Sequence, residues 1–155
     1  AATHTWDFVA SQGYAQSSDN GDVEFLAFAM SQAQSMFPAI DVSRSAVFGF
    51  SDGASYGLSL ALNNPDIFGA AMVWAAGFFH PPELAGSARK PLVFMWHGTD
   101  DQIFDYTTIS LPLRRRLEES GYEVEYYAEE GGRHVCPDPP SSFCNEGIRF
   151  WLGGF

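Results

Sequence analysis

Positive charge is what this sequence has least of. Lys90 is its sole lysine, and 8 basic residues face 19 Asp and Glu, for a net charge of −11 at pH 7. Such a surface repels phosphate backbones and anionic headgroups, which argues against nucleic-acid and membrane-surface partners. Long apolar runs are missing too: no stretch approaches the ~18 residues of a membrane span. The opening Ala1-Ala2-Thr3-His4-Thr5-Trp6 has neither a basic n-region nor an apolar h-region, so no secretory leader is expected in it. A cytoplasmic or a secreted location stays open. Cysteine is nearly absent, with Cys136 and Cys144 standing eight positions apart across a proline-rich loop. The pair suits either a small local disulfide or two thiols in a reducing compartment. Repeats, low-complexity tracts and linker-like segments are lacking, and no Cys/His/Asp cluster has metal-ligand spacing. Neither a metal nor a cofactor is therefore expected.

What is present is apolar and patterned. With 46% hydrophobic and 15% aromatic residues the chain is no disordered tail, and its 155 residues suit one domain spanning 1–155. Val23, Leu26, Met30, Ala33 and Phe37 fall at helical spacing, with Asp22 placed to begin a helix and Pro38 to close it. The runs at Ser45–Phe50, Ala70–Ala75 and Pro91–Trp96 are apolar without alternation, as in strands buried on both faces. A small-residue helix is predicted from about Gly53 to Asn63, another from Thr107 to Ser120, and a last one near Asn145 to Leu152. Glu123–Tyr127 reads as a fourth strand. Strands alternating with helices predict a three-layer α/β/α sandwich with a small, mostly parallel sheet, whose functional groups gather at the carboxyl ends of the strands.

Three motifs sit at such ends. Gly49-Phe50-Ser51-Asp52-Gly53 is a G-x-S-x-G pentapeptide between a buried run and a small-residue helix. Its glycines let strand and helix approach around a strained serine, and the helix start directs free N–H groups toward a developing oxyanion. Ser51 is thus a candidate nucleophile, and the Asp52 backbone N–H a candidate oxyanion donor; a second donor is not identified. His97-Gly98-Thr99-Asp100-Asp101 follows the third apolar run, and a carboxylate there can orient a histidine and stabilise its imidazolium. Either aspartate can instead cap the turn that follows. His134 lies just past the fourth strand, which makes it the candidate base and completes a Ser…Asp…His order. His97 reads as a packed, hydrogen-bonded residue, and His4 and His80 carry no pattern. Phe50, Trp74, Phe78 and Phe79 fall near strand ends, where they can line an apolar pocket or simply pack in the core.

These stretches resemble the bacterial predicted-esterase group of α/β-hydrolases, related to phospholipases and carboxylesterases. The likeness is carried by Trp6-Asp7, by Asp22-Val23-Glu24-Phe25-Leu26 and by Gly49 through Tyr56. His97-Gly98-Thr99-Asp100-Asp101 and the helix-then-strand from Leu113 to Tyr127 extend it. The resemblance implies a minimal α/β-hydrolase core that hydrolyses small carboxylic esters through an acyl-enzyme, without cofactor. It makes Ser51 the nucleophile, Asp101 rather than Asp100 the acid, and His134 the base. A thioesterase or acyltransferase using the same three residues, or a catalytically weak binding domain, are the alternative functions. Members of the group carry further amino-terminal strands and an H-G-G-like loop that supplies an oxyanion donor. This chain starts after that region, and its Cys136–Cys144 loop is longer and richer in proline. The strand ending at Phe50 is consequently expected at a sheet edge, covered by Thr3–Val9 or by a second copy in a homodimer.

Overall fold

The computed structural model describes residues 21–77, 89–136 and 142–153, with backbone only for 142–144. Helix α1 (Gly21–Met36) opens with Asp22 and Glu24 in its first turn, where carboxylates complement the helix dipole. It stops short of Phe37, whose backbone is kept out of the helical region by Pro38. A 3₁₀ turn (Val42–Arg44), capped by Asp41, delivers the chain into β1 (Ser45–Phe50), which runs into α2 (Asp52–Asn63). β2 (Phe68–Trp74) and β3 (Leu92–Gly98) follow. A π turn (Tyr106–Ser110) leads into α3 (Leu111–Glu119), then come β4 (Val124–Glu129) and α4 (Ser142–Gly153).

The four strands form one sheet in the order β1-β2-β3-β4, every pair parallel. Alternate residues of each strand serve opposite layers. Ala71, Val73, Val93 and Met95 pack with α2, with Leu113 and Leu117 of α3, and with Val23, Leu26 and Met30 of α1. Met72, Trp74, Phe94 and Trp96 face the other way, against Phe150 and Trp151 of α4. The architecture is the expected α/β/α sandwich built on a small parallel sheet.

The boundaries moved where local chemistry overrode the apolar pattern. β3 extends through His97 and Gly98 because both pair with β4, opposite Ala128 and Glu129. β2 ends one residue earlier than expected, since Ala75 turns to a positive φ of 51° and leaves the extended region. The helix expected from Thr107 opens as a π turn instead: Pro112 has no N–H to offer the Thr108 carbonyl, and the first turn widens. α3 ends in a Schellman motif, with Gly121 at φ 77° and the N–H groups of Tyr122 and Gly121 bonded back to Leu117 and Glu118.

Among the described residues β1 pairs on one side only, and Phe48 on it is 50% exposed. The segment Thr3–Val9, considered above as cover for that edge, lies outside the described residues. So do His4, Phe78, Phe79, His80 and the side chain of Cys144. Where strand and helix meet around Ser51 the spacing leaves no room for a side chain. A Cβ on Gly49 would lie 2.3 Å from the Gly53 carbonyl oxygen, and one on Gly57 2.9 Å from a Val47 methyl. Gly153, by contrast, has nothing within 4 Å. Gly49→Ala should therefore cost about 2 kcal/mol or more in urea unfolding, while Gly153→Ala stays within about 0.5 kcal/mol of the parent. Equal effects of the two substitutions would refute the close-approach argument.

Candidate active site

The chain turns sharply between β1 and α2, and Ser51 occupies the turn with φ 58° and ψ −121°. A non-glycine residue at positive φ is strained, and here its neighbours hold it there. The Ser51 N–H donates to the Trp74 carbonyl at 2.9 Å, and the Ser51 carbonyl accepts from the Ser55 N–H and hydroxyl, each at 3.1 Å. The same Ser55 hydroxyl oxygen accepts the Gly77 N–H at 2.9 Å, tying the turn to the chain beyond β2. Asp52 is the first residue of α2, so its N–H belongs to the set that a helix start leaves without an intrahelical partner.

The loop carrying Asp101 leaves β3 at Gly98. Asp101 is 6% exposed, and its Oδ1 accepts the N–H groups of Ile103 and Phe104, each at 2.8 Å. Asp105 repeats the device one step on: its Oδ1 accepts from Thr107 and Thr108, through both backbone and hydroxyl groups. These bonds, the Thr107 hydroxyl foremost, hold the Asp105 carboxyl at about 2. Asp100 is exposed.

The loop carrying His134 leaves β4 alongside and is locked to the Asp101 loop by four contacts. Thr99 N–H donates to the Glu129 carbonyl, Asp100 N–H to the Gly132 carbonyl, and Gly131 N–H to the Thr99 hydroxyl. In addition, Gly98 lies so close to Gly132 that a Cβ would sit 2.2 Å from its carbonyl oxygen. His134 emerges between two aromatic rings, Phe50 at 5.0 Å and Phe104 edge-on at 5.3 Å.

The three predicted side chains meet. His134 Nε2 lies 2.9 Å from Ser51 Oγ, and His134 Nδ1 lies 2.7 Å from Asp101 Oδ2. Burial by itself raises the Asp101 carboxyl. The hydrogen bonds from His134, Phe104 and Ile103 outweigh it and keep the group below the usual aspartate value. Asp101 thus fills both roles weighed for this pair of aspartates: Oδ1 caps the turn and Oδ2 faces the histidine. Of the residues considered as pocket lining, Trp74 is fully buried in the core and Phe50 is half-buried beside His134.

Two partners were not anticipated. His97 Nε2 lies 2.7 Å from the Phe104 carbonyl oxygen and 3.2 Å from Asp101 Oδ2. Gln102 Oε1 accepts, at 3.4 Å each, from His134 N–H and Arg133 Nε. The sequence signal for His97 was its place at a strand end four residues before the aspartate. For Gln102 there was none, because an exposed glutamine in a loop looks like any other. Among the described residues no group of three or more His, Cys, Asp and Glu is disposed to hold a metal, and no helix is long and apolar enough to cross a membrane.

A parallel sheet between helix layers, with a strained serine turn after one strand, is the α/β-hydrolase fold, and solved structures of that fold superpose on this chain. Esterase PE8 matches with a TM-score of 0.61 at 20% identity, over 76% of this chain and 54% of its own. SOBER1 of Arabidopsis thaliana gives 0.63 at 21% over 79% and 60%, and the carboxylesterase of Bacillus cereus 0.63 at 20% over 88% and 64%. This chain accordingly spans between about half and two thirds of the length of these proteins. No protein-family model matches the sequence, and no curated protein sequence does.

The loop after β3 carries a pH dependence. With a folded pKa of about 2 against an ordinary 3.8, Asp105 stabilises the fold fully above the ordinary value, and that contribution vanishes as pH falls through about 2. Asp105→Ala should lower the urea midpoint at about pH 6, and the gap to wild type should narrow toward about pH 2. A gap that does not change with pH would mean that the carboxylate charge contributes nothing there.

Proposed function

We propose that the protein is a serine hydrolase of small carboxylic esters that works through an acyl-enzyme. The observation that carries this reading is the continuous hydrogen-bonded line from Ser51 Oγ to His134 Nε2 and from His134 Nδ1 to Asp101 Oδ2, at 2.9 and 2.7 Å. Its support from outside the chain is that two structures sharing the fold are named as an esterase and a carboxylesterase.

In this mechanism Ser51 Oγ attacks the ester carbonyl carbon as its proton passes to His134 Nε2. The carbonyl oxygen becomes an oxyanion facing the Asp52 N–H and the amino end of α2, where the helix dipole and the free donor oppose its charge. His134 then gives its proton to the departing alkoxide, leaving Ser51 acylated. Water enters, loses a proton to His134 and attacks the acyl carbon; the acid departs as Ser51 recovers its proton. Throughout, Asp101 Oδ2 accepts the Nδ1–H, so the imidazole presents its unprotonated Nε2 to Ser51 and its cationic form is stabilised. The rings of Phe50 and Phe104 pack against the imidazole and limit its movement.

Ser51→Ala should abolish both turnover of a p-nitrophenyl ester and labelling by a fluorophosphonate, with thermal unfolding unchanged. Turnover that survives this substitution would place the nucleophile elsewhere. Asp101→Asn should lower kcat by about 10⁴-fold, through loss of charge and the wrong histidine tautomer. Asp100→Asn, at an exposed position, should lower it less than about threefold. The reverse ranking would move the acid to Asp100.

A further inference from the structure

Asp101 faces two histidines, and the mechanism above uses one. The other, His97, is the next-to-last residue of β3, with 1% of its surface exposed. Its Nε2 is 2.7 Å from the carbonyl oxygen of Phe104, an atom that can only accept, so Nε2 carries a hydrogen. Asp101 Oδ2 lies 3.2 Å from the same nitrogen, an electrostatic contact. The Phe104 residue is thereby held at both backbone polar groups: its N–H binds Asp101 Oδ1 and its carbonyl binds His97. Two hydrogen bonds thus link His97 through Phe104 to Asp101 in a buried place.

We infer that His97 is a positioning residue for the proposed acid: its Nε2–H holds the loop from Gly98 to Phe104 so that Asp101 Oδ2 points at His134. The inference rests on the reading of Ser51, His134 and Asp101 as the catalytic set. A neutral donor is what this place requires. The charged and titratable groups facing His97 are Asp101, His134 and Asp105, with the Tyr106 ring 6.4 Å away. A cationic His97 would draw on the same carboxylate charge that stabilises His134 when it takes the serine proton. Burial pushes His97 below the usual histidine value, against the opposing pull of the Phe104 carbonyl and the Asp101 charge. The side chain therefore offers an N–H and leaves the carboxylate charge to His134. Without that N–H, the Phe104 carbonyl would be buried short of a donor, and the loop would shift to find one.

The test compares His97→Leu, which removes the donor, with His97→Gln, whose neutral amide N–H reaches the same point. His97→Leu should lower kcat roughly 10²-fold with KM within about twofold of wild type, as expected of a misplacement near 1 Å. It should also weaken or abolish the far-downfield proton signal of a His134 Nδ1–H bonded to a carboxylate. His97→Gln should restore both. A folded His97→Leu protein with wild-type kcat and an unchanged signal overturns the proposal, as does a glutamine variant no better than the leucine one. If the leucine protein does not fold, ¹⁵N-histidine spectra of the wild type decide. A neutral His97 protonated at Nε2 supports the assignment, and a cationic ring or one protonated only at Nδ1 overturns it. Failure of the hydrolase reading looks different: wild type itself then neither turns over ester nor takes the fluorophosphonate, while the His134 signal still reports whether His97 positions Asp101.

Discussion

A carboxylate removed from water is tolerable only when donors occupy its oxygens, and this constraint on Asp101 organises everything around it. Three N–H groups supply it: Ile103 and Phe104 from its own loop, and His134 from the loop after β4. The first two bend the chain into a tight turn directly after β3. His97 ties that turn back to the strand through the Phe104 carbonyl. The third draws in the imidazole that touches Ser51. Together they hold the carboxyl ionised despite its burial, which is the state a histidine partner requires.

The histidine arrives because two parallel strands end level with each other. β3 and β4 pair through Gly98 and Glu129, so their loops leave the sheet side by side and exchange backbone hydrogen bonds at once. That contact depends on Gly98, where any side chain would collide with Gly132. Ser51 reaches the same place along the sheet. Phe50, Trp74, Trp96 and Tyr127 form one row across all four strands, and the residue after β1 is Ser51. Asp101 and His134 are thus a unit built on β3 and β4, and the serine turn is a second unit built on β1 and α2. The sheet between them sets their separation, and the Ser55 bridge from Ser51 to Gly77 steadies the serine side.

The two margins of the sheet differ in character. Along β4 the outward positions are Glu125 and Tyr127, which suit solvent. Along β1 and α1 they are Phe48, Phe25 and Phe28, the last two each 62% exposed. None of the α1 residues is fully buried, although Val23, Leu26 and Met30 pack on the core. Between these margins β2 and β3 are covered on both faces.

Much of this could be read in the sequence because its causes are local. Apolar runs without alternation mark strands covered on both sides, small residues after Ser51 mark a helix pressed against one, and Gly49 marks where they touch. Each depends on neighbours within a few positions, and the Ser…Asp…His order follows from the chain direction. Other features were illegible for the opposite reason. Which oxygen of Asp101 meets a histidine, and that there are two histidines, depends on His134, 33 residues away, and on the level at which β3 and β4 pair. The π turn before α3 shows the same limit on a smaller scale: helical spacing ran on through Thr107, but one missing N–H at Pro112 decided the geometry. Sequence by itself determined the elements, their order and the chemistry available at the strand ends. Tertiary structure alone decided which groups share a proton, because hydrogen bonds shorter than 3 Å are set by strand register and by the glycines that let two loops touch.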